Sequence, residues 1–289
     1  TRFTLGSERL LTAVRAWPLG AGRFVSVLPG ALALLLCLAL VPVVVIPVVI
    51  EAKLRAVQGP AALARVEEAL AWDSRDVEAL AARAHLRVEA ARQVWNSGQA
   101  PDGSRLDTWE ARRENALPLL NGAIQDFRTA LSRRPTDPFL HERLGWVYVT
   151  LATIDSASSA SDASLAVTSL QRAITLAPDN PFLYRSLAAL AVTLRPPLLP
   201  VALQAARGAI QRDPEFLPDL VNRFLPLVLT EAQWVALVPT TTIDRLQLGT
   251  FLEASGLPRE AGHAYQRALE LATPEEAPLG RWLIAQLRL

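Results

Sequence analysis

An uninterrupted apolar run constrains this chain more than any other feature of its sequence. From Phe24 to Ile50, 27 consecutive residues carry no charged side chain. As a helix rising about 1.5 Å per residue, the run would be about 40 Å long, which exceeds the ~30 Å hydrocarbon core of a bilayer. Pro42 and Pro47 each remove an internal backbone hydrogen bond and predict a kink or a looser exit from the helix there. We therefore expect residues 24–50 to form one transmembrane helix, with an apolar anchor that includes Leu32, Leu35, Leu36, Leu38 and Val44.

The flanking residues predict how this helix is oriented. The run is much longer than the ~7–15 apolar residues of a cleaved signal peptide, which favours an uncleaved signal anchor. Residues 1–23 contain four arginines and one glutamate, a local charge of +3, so the chain's total of +1 leaves −2 for residues 51–289. Positive residues are retained on the cytoplasmic side of a membrane. We therefore expect a single-pass protein of the bacterial inner membrane, with a cytoplasmic N-terminus and a periplasmic C-terminal domain.

The N-terminal segment 1–23 has a helical pattern of its own. Leu10, Leu11, Val14 and Trp17 share one face of a helix over residues 4–17, and the charged residues point elsewhere. This pattern is typical of an amphipathic helix that lies in the cytoplasmic membrane interface. The alternative is a tail that becomes ordered only against a partner.

Composition and motif content argue against an enzyme. The single cysteine excludes a disulfide framework, and a net charge of +1 provides no basic field for nucleic acid. His85, His141 and His263 have no carboxylate or cysteine at metal-ligand spacing, and no glycine-rich phosphate loop is present. We therefore expect no catalytic residues, no cofactor, no metal and no nucleic-acid partner.

Residues 51–289 repeat one helical pattern. Small or apolar residues recur at intervals of four and three positions, followed five residues later by a proline. The first and last copies depart slightly, with Ser74 in place of the proline and Pro274 one position late. The five copies are Ala62-Val66-Ala69, Ala123-Phe127-Ala130-Pro135, Ala166-Leu170-Ala173-Pro178, Ala202-Ala206-Ala209-Pro214 and Ala261-Tyr265-Ala268.

This spacing resembles the second half of the tetratricopeptide repeat (TPR), in which small residues lie where paired helices cross. Leu144-Gly145 with Tyr148 is similar to the first half of that repeat, and Leu248-Gly249 is a weaker copy. The resemblance implies an all-α fold: one N-terminal transmembrane helix followed, over residues 51–289, by a TPR-like α-solenoid of about five irregular helix pairs. Neither helix of such a pair buries its apolar face alone, so pairs must stack.

Several stretches interrupt the regular repeat. We expect loops at residues 96–108 and across the serine cluster 156–164. Residues 215–240 predict two short helices without the motif, the second capped by Thr230. Residues 275–289 predict a terminal helix that covers the last repeat.

In the TPR family, ligands usually bind the face lined by the first helix of each pair. Carried over to this chain, the candidate partner-binding residues are Phe139, Glu142, Trp146, Val149, Phe182 and Arg185. Glu142 and Trp146 differ from the Lys, Asn and Arg of the family's carboxylate-binding clamp, so that ligand mode is disfavoured. The alternative for Phe139 and Phe182 is packing between repeats.

One anchor, one repeat domain and no catalytic motif together indicate a binding function. The leading hypothesis is a non-catalytic, membrane-anchored TPR scaffold, an accessory subunit of a bioenergetic (respiratory or photosynthetic) or envelope-assembly complex. Its partners would be the lipid bilayer and other subunits, contacted through the transmembrane helix and the repeat face. Two alternatives are a transient periplasmic chaperone or assembly factor, and the C-terminal part of an envelope polysaccharide polymerase or ligase.

Overall fold

The computed structural model describes residues 62–100, 102–155, 157–227 and 229–273, together with the isolated positions 278, 281, 282 and 285. The predicted N-terminal segment 1–23, the predicted transmembrane helix 24–50 and most of the predicted terminal helix 275–289 lie outside these residues. None of the helices within the described ranges is both long enough and apolar enough to cross a membrane.

The described part of the chain is all-α, and its helices belong to one compact unit, residues 57–289. A 3-10 turn, Pro214–Phe216, precedes the eighth helix of the described residues. In chain order the eleven α-helices within the described ranges are α1 Ala62–Trp72, α2 Val77–Ser97, α3 Trp109–Arg133, α4 Pro138–Ile154, α5 Ser159–Leu176, α6 Pro181–Thr193, α7 Leu199–Arg212, α8 Leu217–Phe224, α9 Glu231–Leu237, α10 Thr242–Ala254 and α11 Pro258–Leu271.

Consecutive helices form pairs that stack side by side. The most extensive packing is between α2 and α3, α4 and α5, α6 and α7, and α10 and α11. The first helices α2, α4, α6, α8 and α10 also contact one another in succession, so they form a continuous layer. This arrangement of tandem helix pairs confirms the predicted solenoid architecture for the described residues.

The predicted irregular unit at residues 215–240 is confirmed as two short helices. Helix α8 contacts α6 and α10 in the first-helix layer, whereas α9 contacts α7 and α11 in the other layer. The Thr230 side chain accepts a hydrogen bond from the Gln233 backbone N–H, and the Gln233 side chain accepts one from the Thr230 N–H. This capping box begins α9 where the sequence predicted.

The repeat motif marks the places where paired helices touch. A methyl group on Gly145 would lie 2.5 Å from Leu170 Cδ1 and 3.1 Å from the carbonyl oxygen of Ala166. A methyl group on Gly249 would lie 2.2 Å from Cε1 of the Tyr265 ring. Gly145 therefore lets α4 approach the backbone of α5 closely, and Gly249 leaves room for the Tyr265 ring. The second-helix motif residues are all at most 2% exposed: Val66, Ala69, Ala123, Phe127, Ala130, Ala166, Leu170, Ala173, Ala202, Ala206, Ala209, Ala261, Tyr265 and Ala268.

One buried carboxylate joins α2 to α3. Asp126 is 3% exposed and accepts hydrogen bonds from Arg83 Nε at 3.0 Å, Arg83 Nη2 at 2.6 Å and Arg87 Nη1 at 2.7 Å. The hydrogen bond to Asp126 raises the pKa of Arg83. The two guanidinium groups are about a quarter exposed, so the carboxylate is the desolvated member of the network.

The expected flexible loop at residues 156–164 is wrong for most of its length. Helix α5 begins at Ser159, so only a short turn separates it from the end of α4 at Ile154. The turn is held by Asp155, whose carboxylate accepts hydrogen bonds from Arg113 Nη2 at 2.8 Å and from the Ser158 hydroxyl at 3.1 Å. A partner on α3, distant in sequence, thus orders this turn.

The Asp155 interaction predicts a pH-dependent contribution to stability. The Arg113 guanidinium, together with the Ala157 N–H and the Ser158 hydroxyl, lowers the pKa of Asp155. A lowered pKa means that the stabilising effect is complete above the unfolded-state pKa of ~3.9 and is lost as the pH falls through the lower folded-state value. We expect Asp155→Asn to lower the free energy of unfolding by about 1 kcal/mol at pH 7. In urea titrations the difference from wild type should shrink below about pH 4; an unchanged difference would contradict this assignment.

Candidate protein-interaction surface

Two grooves open between neighbouring first helices. The aromatic groove, of about 340 Å³, lies between α4 and α6 and is lined by Phe139, Glu142, Trp146, Phe182, Leu183, Arg185, Ser186, Ala189 and Arg223. The basic groove, of about 390 Å³, lies between α2 and α4 and is lined by His85, Val88, Arg92, Phe127, Arg143, Trp146 and Val147. Trp146 lines both grooves, so the two adjoin at its side chain.

Two aromatic side chains at the aromatic groove are held at equivalent positions of successive repeats. Phe139 and Phe182 each follow a proline that begins a first helix, α4 or α6. Asp137 accepts a hydrogen bond from the Phe139 N–H at 2.9 Å, and Asn180 accepts one from the Phe182 N–H at 3.0 Å. These N-caps fix the backbone at the start of each helix. The rings nevertheless remain 50% and 57% exposed, respectively.

A side-chain network connects α4 to α6 within the aromatic groove. Trp146 Nε1 donates to Ser186 Oγ at 2.8 Å and lies 3.0 Å from Glu142 Oε1. The Ser186 hydroxyl donates to the same Glu142 oxygen at 2.6 Å. Glu142 and Ser186 therefore satisfy the indole N–H and fix the orientation of Trp146 between the two grooves.

The guanidinium of Arg185 lies among aromatic and acidic groups at the far side of the aromatic groove. Its Cζ atom is 5.9 Å from the ring centre of Phe182 and 5.2 Å from that of Phe216. Those two rings pack edge to face with centres 5.1 Å apart. Asp219 lies 3.8 Å from Arg185 and 3.1 Å from Arg223, so it partly balances both cations.

The basic groove has an apolar floor and cationic walls. Val88, Phe127 and Val147 are buried beneath it. Arg92 donates to Thr150 Oγ1 at 3.2 Å and pairs with Glu89 at 3.1 Å. The lining residues of this groove that the structure describes include His85, Arg92 and Arg143 but no carboxylate.

Five of the six sequence-predicted residues line the aromatic groove, and Val149 does not. Residues 147–151 of α4 are all buried, because at this level α4 is packed against α2, α5 and α6. With 4% exposure, the Val149 side chain is not accessible to a partner. The spacing carried over from the TPR family selected Val149 on the assumption that one face of α4 is free. At residues 147–151 no face of α4 is free.

The structure adds groove residues that sequence reasoning missed. Ser186 and Arg223 line the aromatic groove from α6 and α8, and Phe216, in the 3-10 turn, packs against the Phe182 ring. Arg92 and Arg143 line the basic groove together because α2 and α4 are neighbours. The only sequence signal for them is their place on successive first helices. Among the described residues, no three His, Cys, Asp or Glu side chains are grouped closely enough to hold a metal ion.

Comparison with known proteins finds no matching family and solved structures of limited similarity. No family model and no curated protein matches the chain. A TPR protein from Thermus thermophilus is 20% identical with a TM-score of 0.40, covering 79% of this chain and 90% of that one. A TPR protein from Parabacteroides merdae is 14% identical with a TM-score of 0.39, covering 83% and 79%. MamA is 18% identical with a TM-score of 0.36, covering 72% and 85%. The repeat architecture therefore rests on the helix pairing seen in this chain.

Proposed function

We propose that this protein is a non-catalytic, membrane-anchored scaffold that binds protein partners through the first-helix face. The observation that carries the proposal is the aromatic groove, where Phe139 and Phe182 stay half exposed although each is held by a capped helix start. Large exposed aromatic side chains beside a well-packed groove are typical anchors for a partner.

The rigidity of the groove supports the same proposal. Trp146 is hydrogen-bonded to residues of two helices, and Arg185 is held between two rings and Asp219. Side chains that are already ordered lose less conformational entropy when a partner binds. The groove is therefore suited to a specific partner.

The membrane part of the proposal comes from the sequence. The uncharged run 24–50 and the charge difference between its flanks predict a single-pass inner-membrane protein with a periplasmic repeat domain. An anchor confines the repeats to the membrane surface and raises their effective concentration near other membrane proteins. We accordingly propose an accessory subunit of a multi-subunit membrane assembly, either bioenergetic or concerned with the cell envelope.

Copurification of the full chain from detergent-solubilised native membranes tests this function. We expect stoichiometric partner subunits with the wild type and their loss with the double variant Phe139→Ser/Phe182→Ser. Each anchor should contribute about 2 kcal/mol, or roughly 30-fold in affinity. Trp109→Ser is the matched control, because Trp109 is 59% exposed but lies on α3, a second helix.

The outcomes separate the hypotheses. Partners retained by the control and lost by the double variant would support the scaffold and its site. Substoichiometric, salt-labile recovery would favour a transient chaperone. A wild-type protein without any stable partner would overturn the proposed function. A reporter fused after Leu289 that is active only in the cytoplasm would overturn the proposed topology.

A further inference from the structure

The two grooves differ in how completely their charges are balanced. In the aromatic groove, the cations Arg185 and Arg223 face Asp219, while Glu142 is hydrogen-bonded to Trp146 and Ser186. Two cations and two carboxylates thus compensate one another. A charged group on a partner therefore gains little attraction there, and the exposed large apolar side chains of this groove are Phe139 and Phe182.

The basic groove is not balanced in this way. Arg143 is exposed, and within the described residues it has no carboxylate partner. Arg92 pairs with Glu89, which is not among the lining residues, and His85 provides a further nitrogen donor or acceptor. The floor of Val88, Phe127 and Val147 lowers the local dielectric, which strengthens the attraction of an anionic group to these cations.

The position of Trp146 between the two grooves indicates how far apart their centres lie. It lines both grooves, which lie on opposite sides of α4, so the groove centres are about one helix-packing distance apart, roughly 8–10 Å. A polyproline II-like extended chain rises ~3.1 Å per residue with three residues per turn, so side chains three positions apart lie on the same side of the chain, ~9 Å from one another. A helical ligand of ~10–12 Å diameter would need one continuous trough, whereas Trp146 divides this surface into two small grooves.

We infer that the partner of the first-helix face presents an extended, polyproline II-like protein segment with an acidic residue about three positions from an aromatic or branched aliphatic residue. The acidic side chain occupies the basic groove beside Arg143 and Arg92. The apolar side chain occupies the aromatic groove between Phe139 and Phe182. This inference rests on the proposed function, since it specifies the partner of the same surface.

A random 12-residue peptide library displayed on phage, selected against the immobilised full chain in detergent, tests the inference. With the wild type we expect enrichment of Asp or Glu about three positions from Phe, Trp, Leu or Ile. Arg143→Glu should remove the acidic preference and keep the apolar one, and it should weaken a wild-type-selected peptide at least tenfold. Phe139→Ser/Phe182→Ser should remove the apolar preference and keep the acidic one. Arg172→Glu is the matched control, because Arg172 is exposed on α5, a second helix.

The possible outcomes distinguish the two-groove inference from the proposed function. The two separable preferences, together with weaker peptide binding in higher salt, would support the two-groove partner. Selected peptides that depend on Phe139 and Phe182 but show no acidic preference, or are unaffected by Arg143→Glu, would overturn this inference and leave the proposed function standing. If the library yields no peptide that depends on either groove, both the inference and the peptide-binding role of this face are overturned.

Discussion

Replacing Asp126 with asparagine is expected to lower the free energy of unfolding by about 3 kcal/mol. The substitution keeps the shape of the side chain but removes the charge that Arg83 and Arg87 share. The asparagine also places an amide N–H₂ or a neutral oxygen against the guanidinium donors. Arg83 and Arg87 are then two cations without a carboxylate between them. The arginines are a quarter exposed and recover some hydration, which places the loss at the lower end of the ~3–5 kcal/mol typical of a broken buried pair.

The Glu78–Arg134 pair provides the control for Asp126. Its two side chains are 2.7 Å apart but more than half exposed, so Glu78→Gln should cost less than about 1 kcal/mol. Urea unfolding of the full chain, followed by circular dichroism, measures both changes. The triple variant Asp126→Leu/Arg83→Met/Arg87→Leu should recover most of the lost stability, because it removes the buried charges together. Equal effects of Asp126→Asn and Glu78→Gln would show that the Asp126 network is no more important than a surface pair.

Gly249→Ala is expected to destabilise the last helix pair by about 2 kcal/mol, although alanine favours helices. The added methyl group would lie 2.2 Å from the Tyr265 ring. That ring is fully buried and its hydroxyl donates to Glu253 at 2.9 Å, so it has no space to move aside. Either the helices separate or Tyr265 loses its packing.

Gly208→Ala is the matched control for Gly249→Ala. It is also a glycine within a helix that faces a tyrosine, with the added methyl group 2.6 Å from Cδ1 of Tyr184. Tyr184 is only partly buried and stacks under Arg212, so it rotates away at little cost. We therefore expect Gly208→Ala to be near neutral. In a double-mutant cycle, the cost of Gly249→Ala should largely disappear in a Tyr265→Leu background; an unchanged cost would exclude the Tyr265 contact as its cause.

Much of the fold was predictable because the repeat pattern is local. Helix crossings need small residues at fixed intervals, so Ala166, Ala173 and Gly145 are visible in the sequence as contact positions. The cap at Thr230 was predictable for the same reason, since a capping box spans only four residues. The serine cluster was misjudged because Arg113, on α3, stabilises the turn at Asp155. A sequence pattern of neighbouring residues does not indicate this contact, because Arg113 and Asp155 are 42 positions apart.

The candidate site was predictable only in part. Spacing along α4 and α6 identified Phe139, Trp146 and Phe182, but it also selected Val149, which neighbouring helices bury. The basic groove was missed because it combines residues about fifty positions apart, from α2 and α4. Neither the residues from α2 nor those from α4 form a distinctive sequence motif.

The sequence by itself determined three properties: an all-α repeat architecture, the absence of a recognisable catalytic motif, and an uncharged run long enough to span a bilayer. These follow from periodicity and composition, which are properties of a linear chain. Only the tertiary structure decided that Trp146 separates a charge-balanced aromatic groove from an unbalanced basic one. The physical reason is that charge balance and accessibility depend on which side chains meet across helices, and helix packing sets those contacts.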